Sequence, residues 1–316
     1  MGTHVVVGSG AVGSGTALEL AGQGHDVLVV TRSGTCPEHP GVRSAAADVA
    51  DDEAFADLVA GADAIYNCVN PPYHRWPELW PPMAASMLAA AESSGAVLVI
   101  MGNLYAYGPV DHPMVESDPL AAVGPKGRTR AAMWDEALAA HRAGRVRVTE
   151  ARASDFVGPG LEATTHFGRW VAPLLAGRTI RVVGDPDAPH SWTSVADVAR
   201  TLAVLGTDER AWGRPWHVPT PPPVSQRQLA ARFCELADRP APRIGKLPKS
   251  LVRAAGLVVP PLRGLDEVFY QFDRPFVLDS TAADERFGLV PTSLDDTLRE
   301  VLAGVATSAA PSSAAT

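Results

Sequence analysis

Residues 5–13 read Val-Val-Val-Gly-Ser-Gly-Ala-Val-Gly, so Gly8, Gly10 and Gly13 stand at G-x-G-x-x-G spacing. Between a strand and a helix, that spacing admits the pyrophosphate of a dinucleotide. Gly8 permits the tight turn, Gly10 lets the backbone approach the phosphates, and Gly13 lets the helix lie close to the strand. A helix opening at Ala11 and Val12 adds free N–H groups and the positive end of its dipole. Both flanks fit: Val5–Val7 is a β-branched run, and Ala17, Leu18, Leu20 and Ala21 give an apolar helix that stops at Gly22–Gly24.

The residue closing the second strand chooses the dinucleotide. An acidic side chain there binds a ribose 2′-hydroxyl, whereas an arginine accommodates a 2′-phosphate. The sequence has Thr31, Arg32 and Ser33 at this point and no carboxylate. NADP is therefore expected, with NAD the alternative. Asp48 and Val49 follow the third strand, where they would contact the adenine; Asp48 could equally cap the helix over 52–60.

Asn70-Pro71-Pro72-Tyr73-His74-Arg75-Trp76-Pro77 gathers a phenol, an imidazole, a guanidinium and an indole within four positions. It follows the fourth strand, on the edge where open α/β sheets hold ligands. Tyr73, His74 and Trp76 are thus substrate candidates; the alternative is that Trp76 and Trp80 pack while His74 and Arg75 face water. His166 and His190 come later and suit either substrate contact or structure. Nine histidines form no His-Glu-x-x-His or Cys/His pairing, so no metal site is expected. Gly-x-Ser-x-Gly is also missing, and Gly124–Thr129 lacks the phosphate-loop spacing.

These residues need a scaffold, and the pattern supplies one. Strands are expected at 4–8, 26–31, 42–46, 64–69, 97–101 and 147–153, with helices near 11–23, 52–60, 78–93 and 126–143. This βαβ alternation implies an α/β fold, a Rossmann-type doubly wound parallel sheet. A dinucleotide-binding domain over 1–155 is followed by a smaller, irregular substrate lobe over 156–303. Within the lobe, segments about 179–205 return to the sheet, and 304–316 reads as a disordered tail. A Pro-rich stretch to Pro261 and a helix around 293–302 complete the lobe. A net charge of −8 argues against nucleic acid and anionic membranes as partners. Three scattered cysteines fit a reducing compartment, and no long apolar span precedes the first strand, so a cytoplasmic location is expected. The expected partner is a small-molecule substrate; the oligomeric state, a homodimer included, stays open.

In this register the chain resembles the extended or atypical short-chain dehydrogenase/reductases, the NAD-dependent epimerase/dehydratase group, across roughly residues 3–303. Asn67-Cys68-Val69-Asn70 is similar to the strand-four segment that touches the cofactor, which implies Cys68 and Asn70 as contacts. Met101–Gly108 resembles the group's Ser-Ser-x-x-x-Tyr-Gly, and Glu116–Leu120 its acidic-Pro loop. Arg152–Gly160 resembles the segment that reaches the nicotinamide, which implies Ser154. His190–Ala199 resembles the group's His-Val-x-Asp-Val-Ala. The resemblance implies a Tyr-x-x-x-Lys dyad and a Ser, and all three are replaced: Lys126 aligns with the Tyr, Arg130 with the Lys and Asn103 with the Ser. Arg130 keeps the charge to grip the nicotinamide ribose, and Asn103 could bond a substrate carbonyl or its own backbone. Lys126 is expected to face solvent. A substitute phenol is sought in Tyr105 or Tyr107, the latter also matching the structural Tyr-Gly.

The first reading is an NADP-dependent oxidoreductase that moves hydride between nicotinamide and a carbonyl or activated alkene, using a non-standard proton donor. An epimerase- or dehydratase-type enzyme with a bound cofactor is the second, and a catalytically silent NADP sensor the third.

Overall fold

Seven parallel strands make the central sheet of the computed structural model, which describes residues 1–259 and 263–309. The first six are β1 (Thr3–Val7), β2 (Asp26–Thr31), β3 (Val42–Ala46), β4 (Ala64–Asn67), β5 (Val97–Asn103) and β6 (Arg147–Ala153). The shorter β7 (Asp155–Val157), β8 (Ile180–Val183), β9 (Pro189–His190) and β10 (Trp192–Ser194) precede β11 (Pro215–His217), which joins the sheet, and β12 (Val224–Ser225), which pairs with β9. The sheet order is β3-β2-β1-β4-β5-β6-β11. The direction of strand addition reverses between β1 and β4, so a crevice opens at their carboxyl ends.

Both sheet faces are covered, which is why strands such as Val5-Val6-Val7 are apolar on each side. On one face lie α1 (Ala11–Gly22) and, further on, α6 (Val195–Thr207), with Ala17, Leu20, Val198 and Leu202 meeting Val6, Val29 and Tyr66. On the other, α2 (Asp52–Val59), α3 (Trp76–Ser94) and α4 (Pro125–Arg142) bring Phe55, Met87 and Trp134 against Ile65, Leu98 and Val148. Glycine stops α3: Gly95 takes φ +72° and donates to the Ala91 carbonyl.

The later half departs from the expected boundaries. β8 pairs with β13 (Ile244–Leu247) inside the lobe, so the return to the central sheet begins at Val195, not near 179. α5 (Gly168–Leu175), α7 (Gln226–Leu236) and the final α11 (Leu294–Ala309) surround a separate core of Phe167, Trp170, Trp192 and Phe233. α11 runs past residue 304, into the stretch expected as a tail; residues 310–316 lie outside those described. The Pro-rich stretch holds β13 and α8 (Lys249–Val258), and α9 (Tyr270–Asp273) and α10 (Thr281–Phe287) come after it. Pro248 sits at the N-cap of α8, so this proline bounds an element instead of breaking one.

Candidate active site

The three glycines differ in what their missing side chains avoid. Gly8 has φ +103°, and a Cβ there would lie 2.9 Å from the Cys68 carbonyl oxygen. A Cβ at Gly13 would collide with the Gly8 carbonyl. Gly10, the N-cap of α1, has ordinary extended backbone, and a Cβ there would meet no heavy atom within 4 Å. The fold itself requires Gly8 and Gly13, whereas the absence of a side chain at Gly10 keeps open the space before the α1 N-terminus. Ala11 and Val12 begin the helix there. This cradle fits a dinucleotide pyrophosphate. Cys68 packs its Cβ toward Gly13, and burial pushes its thiol up to about 12, so it is an inert wall. Asn70 is exposed beside it.

At the far rim Arg32 and Ser33 are exposed, and the Thr31 hydroxyl accepts from the Thr35 N–H at 3.0 Å. Asp48 does not cap α2. Its carboxylate accepts from Ala50 N at 3.0 Å, and Asp51 caps the helix by accepting from Ala54 N at 3.3 Å. Val49 is buried in the same core as Phe55.

At the carboxyl end of β5 the aromatic groups assemble. Asn103 Oδ1 accepts from Tyr105 N at 3.1 Å, the local backbone bond. The Tyr73 hydroxyl donates to the Tyr105 hydroxyl at 3.5 Å. Trp76 is buried between them, 5.0 Å from the Tyr73 ring and 5.8 Å from Tyr105, with its indole N–H on the Pro71 carbonyl at 3.1 Å. Trp76 is therefore scaffold for the two phenols. His74 is half-buried, and Arg75 pairs with Glu78. Burial raises both phenols, Tyr73 and Tyr105, above their ordinary value, and the nearby Asp155 charge adds to this.

Two expectations are corrected here, and Arg130 proves buried. Tyr107 is 1% exposed and cannot serve as a proton donor to substrate. His217 Nδ1 lies 2.7 Å from the Asp279 carbonyl, which can only accept, so Nε2 must accept the Tyr107 proton at 2.8 Å. Arg152 Nη1 donates to the same phenol oxygen at 2.8 Å while its Nε holds Glu150 at 2.6 Å. Lys126 is not solvent-facing but 4% exposed: its ammonium donates to Gly264 O at 3.0 Å and Glu267 at 3.3 Å, above the Tyr73 ring. Arg130 is equally buried. It donates to the Met101 carbonyl and stacks over Trp80 at 4.8 Å, which anchors the guanidinium to the β5 backbone, while its Nε is buried without a hydrogen-bond partner among the described residues.

On the lobe side His190, one of the two late histidine candidates, is joined to Asp155, which the sequence did not single out. His190 Nδ1 donates to the Gln271 carbonyl at 3.1 Å, and Nε2 lies 2.8 Å from Asp155 Oδ2. With Nδ1 committed, that second contact needs a proton shared between imidazole and carboxylate. Burial pushes the Asp155 carboxyl up, but the hydrogen bond and charge of His190, with the Arg169 charge behind, hold it below the usual carboxylate range. Asp155 stays 21% exposed, His190 only 3%. Burial pushes His166 down to about 3, so it is neutral: Nδ1 accepts from Arg169 at 3.4 Å and Nε2 donates to Gln226 at 3.1 Å. Its ring stacks on Phe272 at 4.4 Å, so His166 is held as packing. Ser154 Oγ, Arg169 Nε and Gln271 Nε2 are buried without a hydrogen-bond partner among the described residues. The signal for Asp155 lay in Arg152-Ala153-Ser154-Asp155, one residue past Ser154. Arg169 and Gln271 had none, because tertiary packing alone brings them here.

Residues 5–216 match the model of the NAD dependent epimerase/dehydratase family. The chain belongs to that family. It is thus an enzyme of the short-chain dehydrogenase/reductase superfamily. A dTDP-6-deoxy-L-talose 4-dehydrogenase (NAD(P)(+)) of Kitasatospora kifunensis is 29% identical over 224 residues, covering 66% of this chain and 70% of the relative. The UDP-glucose 4-epimerase of Thermotoga maritima, solved with UDP-glucose, superposes with a TM-score of 0.80 at 16% identity, covering 97% of this chain and 99% of that one. The dTDP-glucose 4,6-dehydratase of Bacillus anthracis, solved with NAD, gives 0.79 at 14% identity and 98% coverage of both. These likenesses establish the Rossmann-type fold. Within this family member the dyad positions hold Lys126 and Arg130, each buried and already bonded to the protein. Among the described residues no helix is long and apolar enough to cross a membrane, and no three metal-ligating side chains converge.

Proposed function

We propose that this chain is an NADP-dependent oxidoreductase that reduces a carbonyl or activated alkene of a small organic molecule, with Tyr105 as proton donor. The observation that carries the reading is the half-buried Tyr73–Tyr105 pair at the strand ends, beside a Tyr107 whose proton is committed. Nicotinamide, when bound, supplies the hydride. The chain's own residues supply the rest. Gly8, Gly10 and Gly13 admit the pyrophosphate, and Arg32 with Thr31 and Ser33 favours a 2′-phosphate. As hydride reaches the substrate carbon, the carbonyl π pair moves to oxygen, and that oxygen takes the Tyr105 proton. Tyr73, whose hydroxyl already donates toward Tyr105, then stabilises the phenolate and offers it a proton.

Burial raises the Tyr105 phenol and so keeps it protonated at neutral pH; the raised value makes it a weaker acid, which gives its proton up only to a stronger base such as the developing alkoxide. His190 with Asp155 adds a second shared proton on the lobe side, which a dehydratase- or epimerase-type reaction would use; that is the second reading. The test is NADPH consumption at 340 nm with a panel of small aldehydes, ketones and enones. The proposal expects net oxidation of NADPH, and Tyr105→Phe should reduce the rate about 10²-fold or more. Product formed without net NADPH loss would favour the second reading.

A further inference from the structure

The loop after β2 carries hydroxyls that the glycine motif does not account for. Thr35 is at their centre: its Oγ1 lies 2.9 Å from Ser33 Oγ and 3.2 Å from Ser9 Oγ. Its N–H donates to Thr31 Oγ1 at 3.0 Å, and its carbonyl accepts from that hydroxyl at 3.3 Å. Gly34 makes the turn with φ +68°, in the left-handed region, and donates to the Thr31 carbonyl at 3.3 Å. Ser9 lies between Gly8 and Gly10, so Thr35 ties the pyrophosphate turn to the loop that would face the adenosine ribose.

Proton accounting shows what this cluster offers. The Thr31 proton goes to the Thr35 carbonyl. Ser9, Thr35 and Ser33 then form a chain of three hydroxyls joined by two contacts. Each hydroxyl has one proton. Two protons fill the two contacts, so one O–H remains for a ligand whichever way the chain is oriented. Arg32, exposed beside it, adds guanidinium donors, and no carboxylate closes β2 to accept from a ribose hydroxyl. The assembled group is rich in donors and suits an anion.

We infer that Thr35 is a specificity-determining residue for the cofactor: it holds Ser9 and Ser33 in register and completes, with Arg32, a receptor for a phosphate on the ribose 2′ position. This rests on the NADP reading above. The alternative role for Thr35 is bracing the glycine turn alone, which would affect both dinucleotides equally.

The experiment is calorimetric titration of wild type, Thr35→Val, Thr35→Ser and Arg32→Ala with NADPH, NADH and 2′,5′-ADP, with melting temperature recorded for each protein. Valine keeps the shape and deletes the hydroxyl; serine restores it. Thr35→Val should weaken NADPH and 2′,5′-ADP about tenfold, the loss of one charge-assisted hydrogen bond, and leave NADH within about twofold. Thr35→Ser should return both to near wild-type affinity. Unchanged NADPH affinity in Thr35→Val, or equal weakening of NADPH and NADH, would overturn the inference. If wild type itself shows no preference for NADPH, the NADP reading falls and this inference with it. If wild type prefers NADPH and Arg32→Ala removes the preference while Thr35→Val keeps it, only the role of Thr35 falls.

Discussion

Tyr105 and Tyr107 are two positions apart and meet opposite environments. Tyr105 shares its hydroxyl only with groups at the site, whereas Tyr107 is enclosed by Arg152 and His217. Conservative substitution should therefore separate them. Tyr105→Phe should keep its melting temperature and lose about 10²-fold in turnover, the range of a positioned acid. Tyr107→Phe leaves Arg152 and His217 short of a buried partner, at about 1–3 kcal/mol, and should lose stability more than turnover. Equal turnover in Tyr105→Phe and wild type would remove the phenol from the mechanism. The loop after β4 divides in the same way. Trp76→Ala removes a large buried indole and should cost about 3–5 kcal/mol of stability, whereas His74→Ala should melt as wild type and raise substrate KM. Urea unfolding and steady-state kinetics on this pair read both effects.

At the scale of elements, the N-terminus of α4 shows how the family position was rebuilt. Glu267 accepts from the backbone N–H of Lys126 at 2.6 Å and of Gly127 at 3.3 Å, and pairs with the Lys126 ammonium. One carboxylate thus caps the helix and neutralises a buried cation. Glu267→Ala should cost about 3–5 kcal/mol, because it strands a buried charge, and Lys126→Met in the same chain should recover much of that loss. A Glu267→Ala protein that unfolds at the wild-type urea midpoint would contradict this account.

The same helix marks the limit of what the sequence shows. Its span was legible from apolar periodicity and a terminal glycine, as were β1 to β6, because these are local signals. The partner of Lys126 lies 141 residues away, in a segment whose sequence pattern suggested only irregular structure. The glycine turn was legible because a backbone requirement leaves a residue-type signature at fixed spacing. Asp155 and His190 each lay in or beside a recognisable motif, but nothing marked them as a pair, since 35 residues separate them and packing alone joins them. Tyr107 matched a motif by type, but its burial depends on β11, which joins the sheet after a long excursion through the lobe.

Across the whole molecule, buried neutral histidines link folding to pH. Burial lowers His4 to about 4, with the His25 charge adding to it; its ring nitrogens are held by Tyr66 at 2.9 Å and His25 at 3.0 Å. Its folded value lies below the ordinary 6.5, so the unfolded chain takes up the proton first as pH falls. The contribution is complete above about pH 6.5 and is lost on descent toward pH 4, worth about 3 kcal/mol over that span. His166 acts in the same direction. Urea midpoints should therefore drop between pH 7.5 and 5, and His4→Gln should flatten the slope. A midpoint independent of pH in wild type would refute the linkage.

Function at this scale depends on one junction, where β1 passes through the glycine turn into α1 and the strand order reverses. Gly8 and Gly13 are required by the fold, and Gly10 is the position whose open side the protein does not fill. The most direct test is calorimetric titration of NADPH into wild type and Gly10→Val, with melting temperature confirming that both are folded. The account predicts saturable binding by wild type and none measurable by a folded Gly10→Val, whose side chain would occupy the place of the pyrophosphate. Wild-type affinity in a folded Gly10→Val would place the dinucleotide elsewhere and contradict the account.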